Sequence, residues 1–114
     1  MKYTELEENG VTIYEISGYL KGRPKGYEFL EMLRGRIAGG AGKIVVDLGG
    51  VERMDSSGIG IIASIITSAE NAGSPLCFCN VEGKVLQLLE MVGITRVIEC
   101  GSCRDEAVSK LKED

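Results

Sequence analysis

One apolar run followed by a long apolar helix pattern restricts the fold of this chain more than any other feature. The run spans positions 44–48 and reads Ile-Val-Val-Asp-Leu, which is typical of a central strand covered on both faces of a sheet. Apolar residues then recur at helical spacing from position 58 to about 72, over a face wide enough to predict a buried helix. A buried strand followed by a buried helix favours an α/β fold with parallel strands.

Strand and helix patterns alternate along the rest of the chain. Asn9 and Gly10 predict a two-residue hairpin turn between two antiparallel strands. The predicted strands lie at 2–8, 11–16, 44–48, 76–79 and 97–98, the helices at 25–38, 58–72, 83–92 and from Ser102 onward, and the loops at 18–26 and 49–57. Ser102 and Asp105 fit a capping box in front of the last helix. The order β-β-α-β-α-β-α-β-α predicts a single α/β domain over 1–114, with a central mixed sheet and about four packed helices.

The charge balance disfavours several kinds of partner. The 114 residues carry a net charge of −4, whereas a surface that binds nucleic acid is basic. The same charge disfavours an anionic membrane surface. No apolar segment reaches the length of a membrane span, and the first residues lack the apolar core of a signal peptide. We therefore expect a cytoplasmic protein with reduced cysteines, no direct nucleic-acid partner and no membrane span.

The absence of histidine narrows the chemistry open to the chain. Histidine is the commonest general base, so Ser-His and Cys-His nucleophile pairs are excluded with it. The chain also has no tryptophan, and aromatic residues make up 5% of it, which disfavours a cofactor or sugar site built on stacked rings. We expect a protein that is not an enzyme and has no catalytic residues and no cofactor.

The turn Asp55-Ser56-Ser57-Gly58 precedes the buried helix and is the main site candidate. Asp and Ser are preferred helix caps because their oxygens accept the unpaired N–H groups of the first turn. In one interpretation these residues only cap the helix. In the other, one serine is phosphorylated. A phosphate there would meet the positive end of the helix dipole, so we expect the fold to stay intact.

The segment over 44–60 resembles the signature of the STAS domain, the fold of bacterial anti-sigma factor antagonists. In that family a strand of the type V-x-L-D-L leads to a D-S-S-G-L-G turn that opens a helix. Here Asp55-Ser56-Ser57-Gly58 follows such a strand. The family's order of elements agrees with the order predicted above, and the resemblance covers nearly the whole chain. It implies a single STAS-type domain.

The resemblance further implies a protein-binding switch that catalyses nothing. In the family, the unphosphorylated antagonist binds an anti-sigma factor that is also a serine kinase of the GHKL ATPase type, and binding frees the sigma factor. The kinase phosphorylates the first serine of the motif, which corresponds to Ser56, and the complex dissociates until a phosphatase resets it. Ser56 is thus the expected phosphoacceptor, and Asp55, Ser57 and Gly58 are expected partner-binding residues.

The loop before the first helix departs from the family pattern. The family commonly carries Gly-x-Leu-Asp there, whereas this chain reads Gly-Tyr-Leu-Lys at 18–21. Lys21 replaces the acid, and Arg23 and Lys25 follow it. We predict that Lys21, Arg23 and Lys25 lie near Ser56, where they would pair with a phosphate or an acidic partner. A solvated loop is the alternative interpretation.

Three other motifs resemble functional sites but fit structural roles better. The stretch at 58–63 matches the dinucleotide pattern G-x-G-x-x-A, but it starts about ten residues after the strand and Asn80 stands where an acid is expected. The stretch at 83–85 lacks the Ser or Thr of a phosphate-binding loop. Four cysteines could bind zinc or, at Cys100 and Cys103, form a redox pair, although Cys77 and Cys79 fit core positions better.

Two further functional classes stay open at this point. Lys21 favours an unphosphorylated STAS adaptor or scaffold module within a signalling or transport complex. A small-molecule sensor or enzyme is disfavoured by the missing histidine and the poor nucleotide motifs. A partner-binding role for the segment at 82–92 is a further alternative, but its apolar residues fit a core better.

Overall fold

The computed structural model describes residues 1–112, which contain five strands and four α-helices. The elements are β1 (Lys2–Glu8), β2 (Val11–Leu20), α1 (Lys25–Ala38), β3 (Lys43–Met54), α2 (Ser56–Ala72), β4 (Leu76–Cys79), α3 (Gly83–Met91), a 3₁₀ turn (Ile94–Arg96), β5 (Cys100–Gly101) and α4 (Arg104–Lys112). They form one sheet in the order β1-β2-β3-β4-β5. β1 runs antiparallel to β2, and the other neighbours are parallel. The predicted α/β architecture and order of elements are confirmed.

The two faces of the sheet are covered unequally. On one face α1, α2 and α3 pack against the larger core cluster, which includes Tyr14, Val46 and Phe78. On the other face α4 packs on a smaller cluster that includes Val45 and Cys79. The central strands are therefore buried on both sides, as the apolar run at 44–48 predicted. Each large side chain buried in this way contributes about 1.5–3 kcal/mol to folding.

A buried polar network holds the start of α4 to the sheet. Asp47 is only 7% exposed, and its carboxylate accepts hydrogen bonds from Asn80 Nδ2 and the Gly49 N–H, both at 2.9 Å. Arg104 donates to Asp47 at 3.3 Å and forms an ion pair with Glu15. The buried carboxylate is thus fully partnered, which is the condition under which a buried charge is tolerated.

Two predicted loops are shorter than expected. β2 continues to Leu20 and β3 to Met54, so residues 18–20 and 49–54 are strand and not loop. The prediction was wrong because both strands extend through parallel pairing between β2 and β3, which no local pattern in the sequence shows. Gly50 pairs with Ser17, and a Cβ added there would lie 2.9 Å from the Ser17 Cβ. The glycine therefore permits a close strand contact and does not end the strand.

The C-terminal part contains two further corrections. The last strand is Cys100–Gly101, whereas 97–98 follows a 3₁₀ turn and lies outside the strand. The predicted capping box is also wrong in its partner, because Ser102 is bonded by Glu106 and not by Asp105. The Ser102 N–H donates to Glu106 Oε1 at 2.8 Å, which places the acid one position further along than a capping box requires.

Candidate functional site

The turn before α2 is held by a side-chain cap. Asp55 has extended backbone angles, and its carboxylate accepts a hydrogen bond from the Gly58 N–H at 3.0 Å. The Asp55 carbonyl accepts the first bond of the helix from the Ile59 N–H, also at 3.0 Å. Asp55 therefore performs the capping role that the sequence predicted for this turn. Helix α2 begins at Ser56, two residues earlier than expected.

Gly58 lets the end of β2 lie directly against the first turn of α2. A Cβ at this position would fall against the Leu20 carbonyl oxygen and 2.6 Å from Met54 Cγ. The same Leu20 carbonyl accepts a hydrogen bond from the Asp55 N–H at 3.4 Å. The backbone of β2 is thus fixed to the turn on both sides of the two serines, and Lys21 follows Leu20 directly.

The two serines differ in accessibility. Ser56 is exposed at the first position of α2, whereas Ser57 is half-buried. The first-turn N–H groups and the positive end of the helix dipole lie at the same place, so an anion on Ser56 would be stabilised electrostatically. Of the two serines, Ser56 is the more exposed to a second protein.

Two cations lie against one aromatic ring beside this turn. The register of β2 and β3 places Tyr19 opposite Arg53. Lys21 Nζ lies 5.0 Å and Arg53 Cζ 4.9 Å from the centroid of the Tyr19 ring. Both distances are within the range of cation–π attraction. Neither cation forms a salt bridge with a carboxylate within residues 1–112.

Sequence reasoning missed Tyr19 and Arg53. Both lie in strand extensions that were assigned to loops. Had β2 been extended to Leu20, the two-residue period of a strand would have placed the side chains of Tyr19 and Lys21 on one face. The contribution of Arg53 depends on the parallel register with β3, and the sequence contains no signal for that register.

The loop after Lys21 is exposed but anchored at its far end. Arg23 and Lys25 are both exposed. Gly26 is buried, and a Cβ there would fall against the Lys21 carbonyl oxygen and 2.8 Å from Ile61 Cδ1. The base of the loop therefore packs on α2. Arg23 lies in the exposed part of the loop, and its contact with Ser56 stays a prediction.

The cysteines lie apart from this turn. Cys77 and Cys79 are buried in the sheet, as predicted for core positions, and burial raises the pKa of Cys77 to about 11 and that of Cys79 to about 12. Burial also raises the pKa of Cys100, while Cys103 is exposed. Since the thiolate is the reactive form, the three buried or half-buried thiols are poor nucleophiles at neutral pH. Within residues 1–112, no three acidic, cysteine or histidine side chains are placed to hold a metal ion.

The pattern of the STAS domain matches residues 3–107 of the sequence. The chain belongs to the STAS domain family. This confirms the resemblance that rested on the Asp55-Ser56-Ser57-Gly58 turn and on the strand before it. Within residues 1–112, no helix is both long enough and apolar enough to cross a bilayer.

Solved structures with the same fold include several regulators. The STAS chain is similar to a protein of Thermotoga maritima assigned as an anti-sigma factor antagonist, with 20% identity, a TM-score of 0.88 and coverage of 97% of this chain and 95% of that one. It is similar to a variant of RsbS from Moorella thermoacetica, at 24% identity, a TM-score of 0.84 and coverage of 98% and 96%.

A third relative is known in two chemical states. The chain is similar to the anti-sigma factor antagonist SpoIIAA in its unphosphorylated form, at 14% identity, a TM-score of 0.77 and coverage of 99% and 100%. It is also similar to Bacillus SpoIIAA in the phosphorylated form, at 16% identity, a TM-score of 0.68 and coverage of 96% and 99%. At these identities the similarities show the fold, and the function of this STAS chain is inferred below.

Proposed function

We propose that this STAS chain is an anti-sigma factor antagonist that acts as a protein-binding switch. Its unphosphorylated form binds an anti-sigma factor that is also a serine kinase of the GHKL type, and phosphorylation of Ser56 releases it. The observation that supports this most is the exposed Ser56 at the first position of α2, next to its cap Asp55. SpoIIAA, which has the same fold, occurs in phosphorylated and unphosphorylated forms.

The position of Ser56 explains how a phosphate could switch binding without unfolding the chain. A phosphoserine carries about −1.5 to −2 charges at neutral pH. At the start of α2 that charge meets the helix dipole and the N–H groups of the first turn, which stabilise it. The cost of the modification therefore falls on a partner docked over the turn, through desolvation and repulsion of nearby carboxylates.

The cations beside the turn suggest which side of the partner lies there. Lys21 and Arg53 lie against Tyr19 and have no carboxylate partner within residues 1–112. We propose that Lys21, together with Arg23, binds an acidic segment of the kinase when Ser56 is unmodified. A phosphate on Ser56 would compete for the same cations by charge-assisted hydrogen bonds. Lys21, in place of the acid that the family commonly carries, thus favours an acidic partner surface over a basic one.

Asp55, Ser57 and Gly58 contribute to the proposed partner-binding surface mainly by fixing the shape of the turn. Asp55 holds the turn by its bond to the Gly58 N–H, and Gly58 is buried against Leu20. Ser57 is half-buried beside them. Contact of these three residues with the partner stays a prediction. The phosphatase that would remove the phosphate and a cytoplasmic location of the chain also stay predictions.

Phosphorylation by the cognate kinase tests the proposal. The chain is incubated with the kinase and ATP, and the phosphate is located by mass spectrometry. We expect one phosphate on Ser56, its loss in Ser56→Ala and its retention in the matched variant Ser57→Ala. Binding of the kinase should fall after phosphorylation and in Ser56→Asp. A phosphate on Ser57, or unchanged binding after modification of Ser56, would contradict the switch.

A second function is favoured by one observation, the basic residue Lys21 at the position where the family commonly carries an acid. An adaptor or scaffold role within a signalling or transport complex would use the same surface without phosphorylation. In that case the kinase leaves no label on Ser56, and Lys21→Glu lowers the affinity for the complex while Ser56→Ala does not. The two proposals therefore differ in their response to the same two variants.

A further inference from the structure

An apolar cleft lies at the end of the molecule opposite to Ser56. It has a volume of about 260 Å³ and lies between the C-terminal end of α2, the start of β4 and the segment that precedes β5. The apolar lining includes Ile66, Leu76, Phe78, Val97 and Ile98. Val97 is 64% exposed, so this apolar surface is open to solvent.

Two carboxylates border the apolar lining of this cleft. They belong to Glu70 on α2 and Glu99 before β5, and both residues are exposed. Neither forms a salt bridge with a residue within 1–112. The surface defined by Glu70, Glu99 and the apolar lining is called the acidic cleft below. An apolar group flanked by two cations would complement it in both polarity and charge.

The chain presents such a group at its opposite end. Arg23 and Pro24 lie between β2 and α1, Lys25 is the first residue of α1, and all three are exposed. This basic loop tip places an apolar proline between two cations, and within residues 1–112 neither cation is in a salt bridge. The loop tip has an apolar group between two cations, and the acidic cleft has an apolar lining between two carboxylates, so the two surfaces are complementary.

The two surfaces cannot meet within one molecule. The basic loop tip follows the carboxyl end of β2, whereas the acidic cleft lies at the amino end of β4. The 17 residues of α2 separate the two ends by about 25 Å. Any contact between the loop tip and the cleft must therefore join two molecules.

We propose that the acidic cleft binds the basic loop tip of a second copy of this chain. Because the two contacting surfaces are different, the interface is heterologous, and repetition gives short chains or rings and not a closed two-fold dimer. A contact this small is weak and is strengthened by opposite charges, so association should increase with protein concentration and decrease with salt. The proposal does not depend on phosphorylation of Ser56.

Sedimentation velocity of the unmodified chain tests the proposal without any kinase. The weight-average sedimentation coefficient should rise between about 0.01 and about 1 mM protein, a range that includes the dissociation constants of weak contacts. Addition of salt at about 1 M, where the Debye length is about 3 Å, should remove the rise. A chain that stays monomeric across this range at low salt would overturn the proposal.

Charge exchange identifies the surfaces. Glu70→Lys with Glu99→Lys makes the cleft basic, and Arg23→Glu with Lys25→Glu makes the loop tip acidic. Each double variant should sediment as a monomer alone, because its loop tip and cleft then have the same charge. A mixture of the two should associate again, because each molecule finds its complement on the other.

A matched variant separates this effect from a change in net charge. Glu7→Lys with Glu52→Lys changes the charge by the same amount at exposed positions outside the cleft, and it should associate at least as well as the unmodified chain. The proposal is wrong if the cleft variant associates like the unmodified chain, or if the mixture of charge-exchanged variants stays monomeric. Circular dichroism confirms that each variant is folded before sedimentation.

Discussion

The two ends of α2 differ in how tightly the rest of the molecule packs against them. At the N-terminal end, Asp55 caps the helix and Gly58 lies directly against the backbone of Leu20. At the C-terminal end, Gly73 stops the helix in a left-handed conformation with φ of 68°, and an apolar cleft stays open beside it. The first end has its shape fixed by backbone contacts, whereas the second keeps an unfilled surface.

This difference separates two ways of building a binding surface on one helix. At the tightly packed end, Asp55 and Leu20 determine the geometry of the turn that carries Ser56, the proposed phosphoacceptor. The open end has apolar area and two carboxylates that form no salt bridge within residues 1–112. An added methyl group should therefore meet packed atoms at the first end and open space at the second, and the variants below test that contrast.

The largest effect is expected at Gly58. Gly58→Ala adds a Cβ against the Leu20 carbonyl oxygen and 2.6 Å from Met54 Cγ, and relief requires the backbone to move. We expect the free energy of unfolding to fall by about 3 kcal/mol, measured by urea denaturation. The matched variant is Gly60→Ala on the same helix, where a Cβ meets no atom within 4 Å. That variant should raise the free energy of unfolding by about 0.5–1 kcal/mol, and equal effects at both positions would contradict the close packing.

A smaller effect is expected at Gly73, where the backbone alone is responsible. Alanine at a left-handed φ costs about 1–2 kcal/mol, and no atom lies within 4 Å of the added Cβ. Gly73→Ala should lower the free energy of unfolding by that amount. Gly73→Asn should restore about half of the loss, because asparagine tolerates the left-handed region better. Equal stability of the two variants would show that the cleft end is also limited by side-chain packing.

The cap contributes less than either glycine. Asp55→Ala removes the acceptor for the Gly58 N–H and should lower the free energy of unfolding by about 1 kcal/mol. Asp55→Asn keeps an acceptor oxygen at the same place, so its free energy of unfolding should lie within about 0.5 kcal/mol of that of the unmodified chain. Thermal unfolding monitored by circular dichroism measures both. A full loss in Asp55→Asn would mean that the charge, and not the hydrogen bond, stabilises the turn.

The smallest effect is expected at the rim of the acidic cleft. Glu70→Gln with Glu99→Gln removes two exposed carboxylates that form no salt bridge within residues 1–112. Surface substitutions of this kind change stability by less than about 0.5 kcal/mol. Urea denaturation of the double variant at low protein concentration should therefore match that of the unmodified chain. A loss above about 1 kcal/mol would show that the two carboxylates are needed for the fold.

The sequence predicted those features that depend on neighbours along the chain. The helix at 25–38 agrees with α1 at both ends, Gly73 ends α2 as expected, and the cap at Asp55 forms as its residue type indicates. These features depend on helical spacing and on local hydrogen bonds, which a single sequence displays directly. The family signature added the identity of the fold, because strand, turn and helix coincide over 44–60.

The features that could not be predicted depend on contacts between distant strands. Gly50 interrupts an apolar pattern, yet it lies inside β3 because Ser17 of β2 packs closely on it. Arg53 joins the site for the same reason, since only the parallel register brings it to Tyr19. The acidic cleft combines residues from α2, β4 and the segment before β5, and no local pattern indicates that they meet.

The central position of β3 has a consequence for the order in which the chain folds. The hairpin of β1 and β2 has a two-residue turn and can form within about 1–10 μs. Both neighbours of β3 pair with it in parallel and are connected to it through α1 and α2, so the sheet is completed only after these long loops close. Non-local pairing of this kind slows folding. Until β3 pairs with it, β2 has one unpaired edge, and that edge can pair with a strand of another chain.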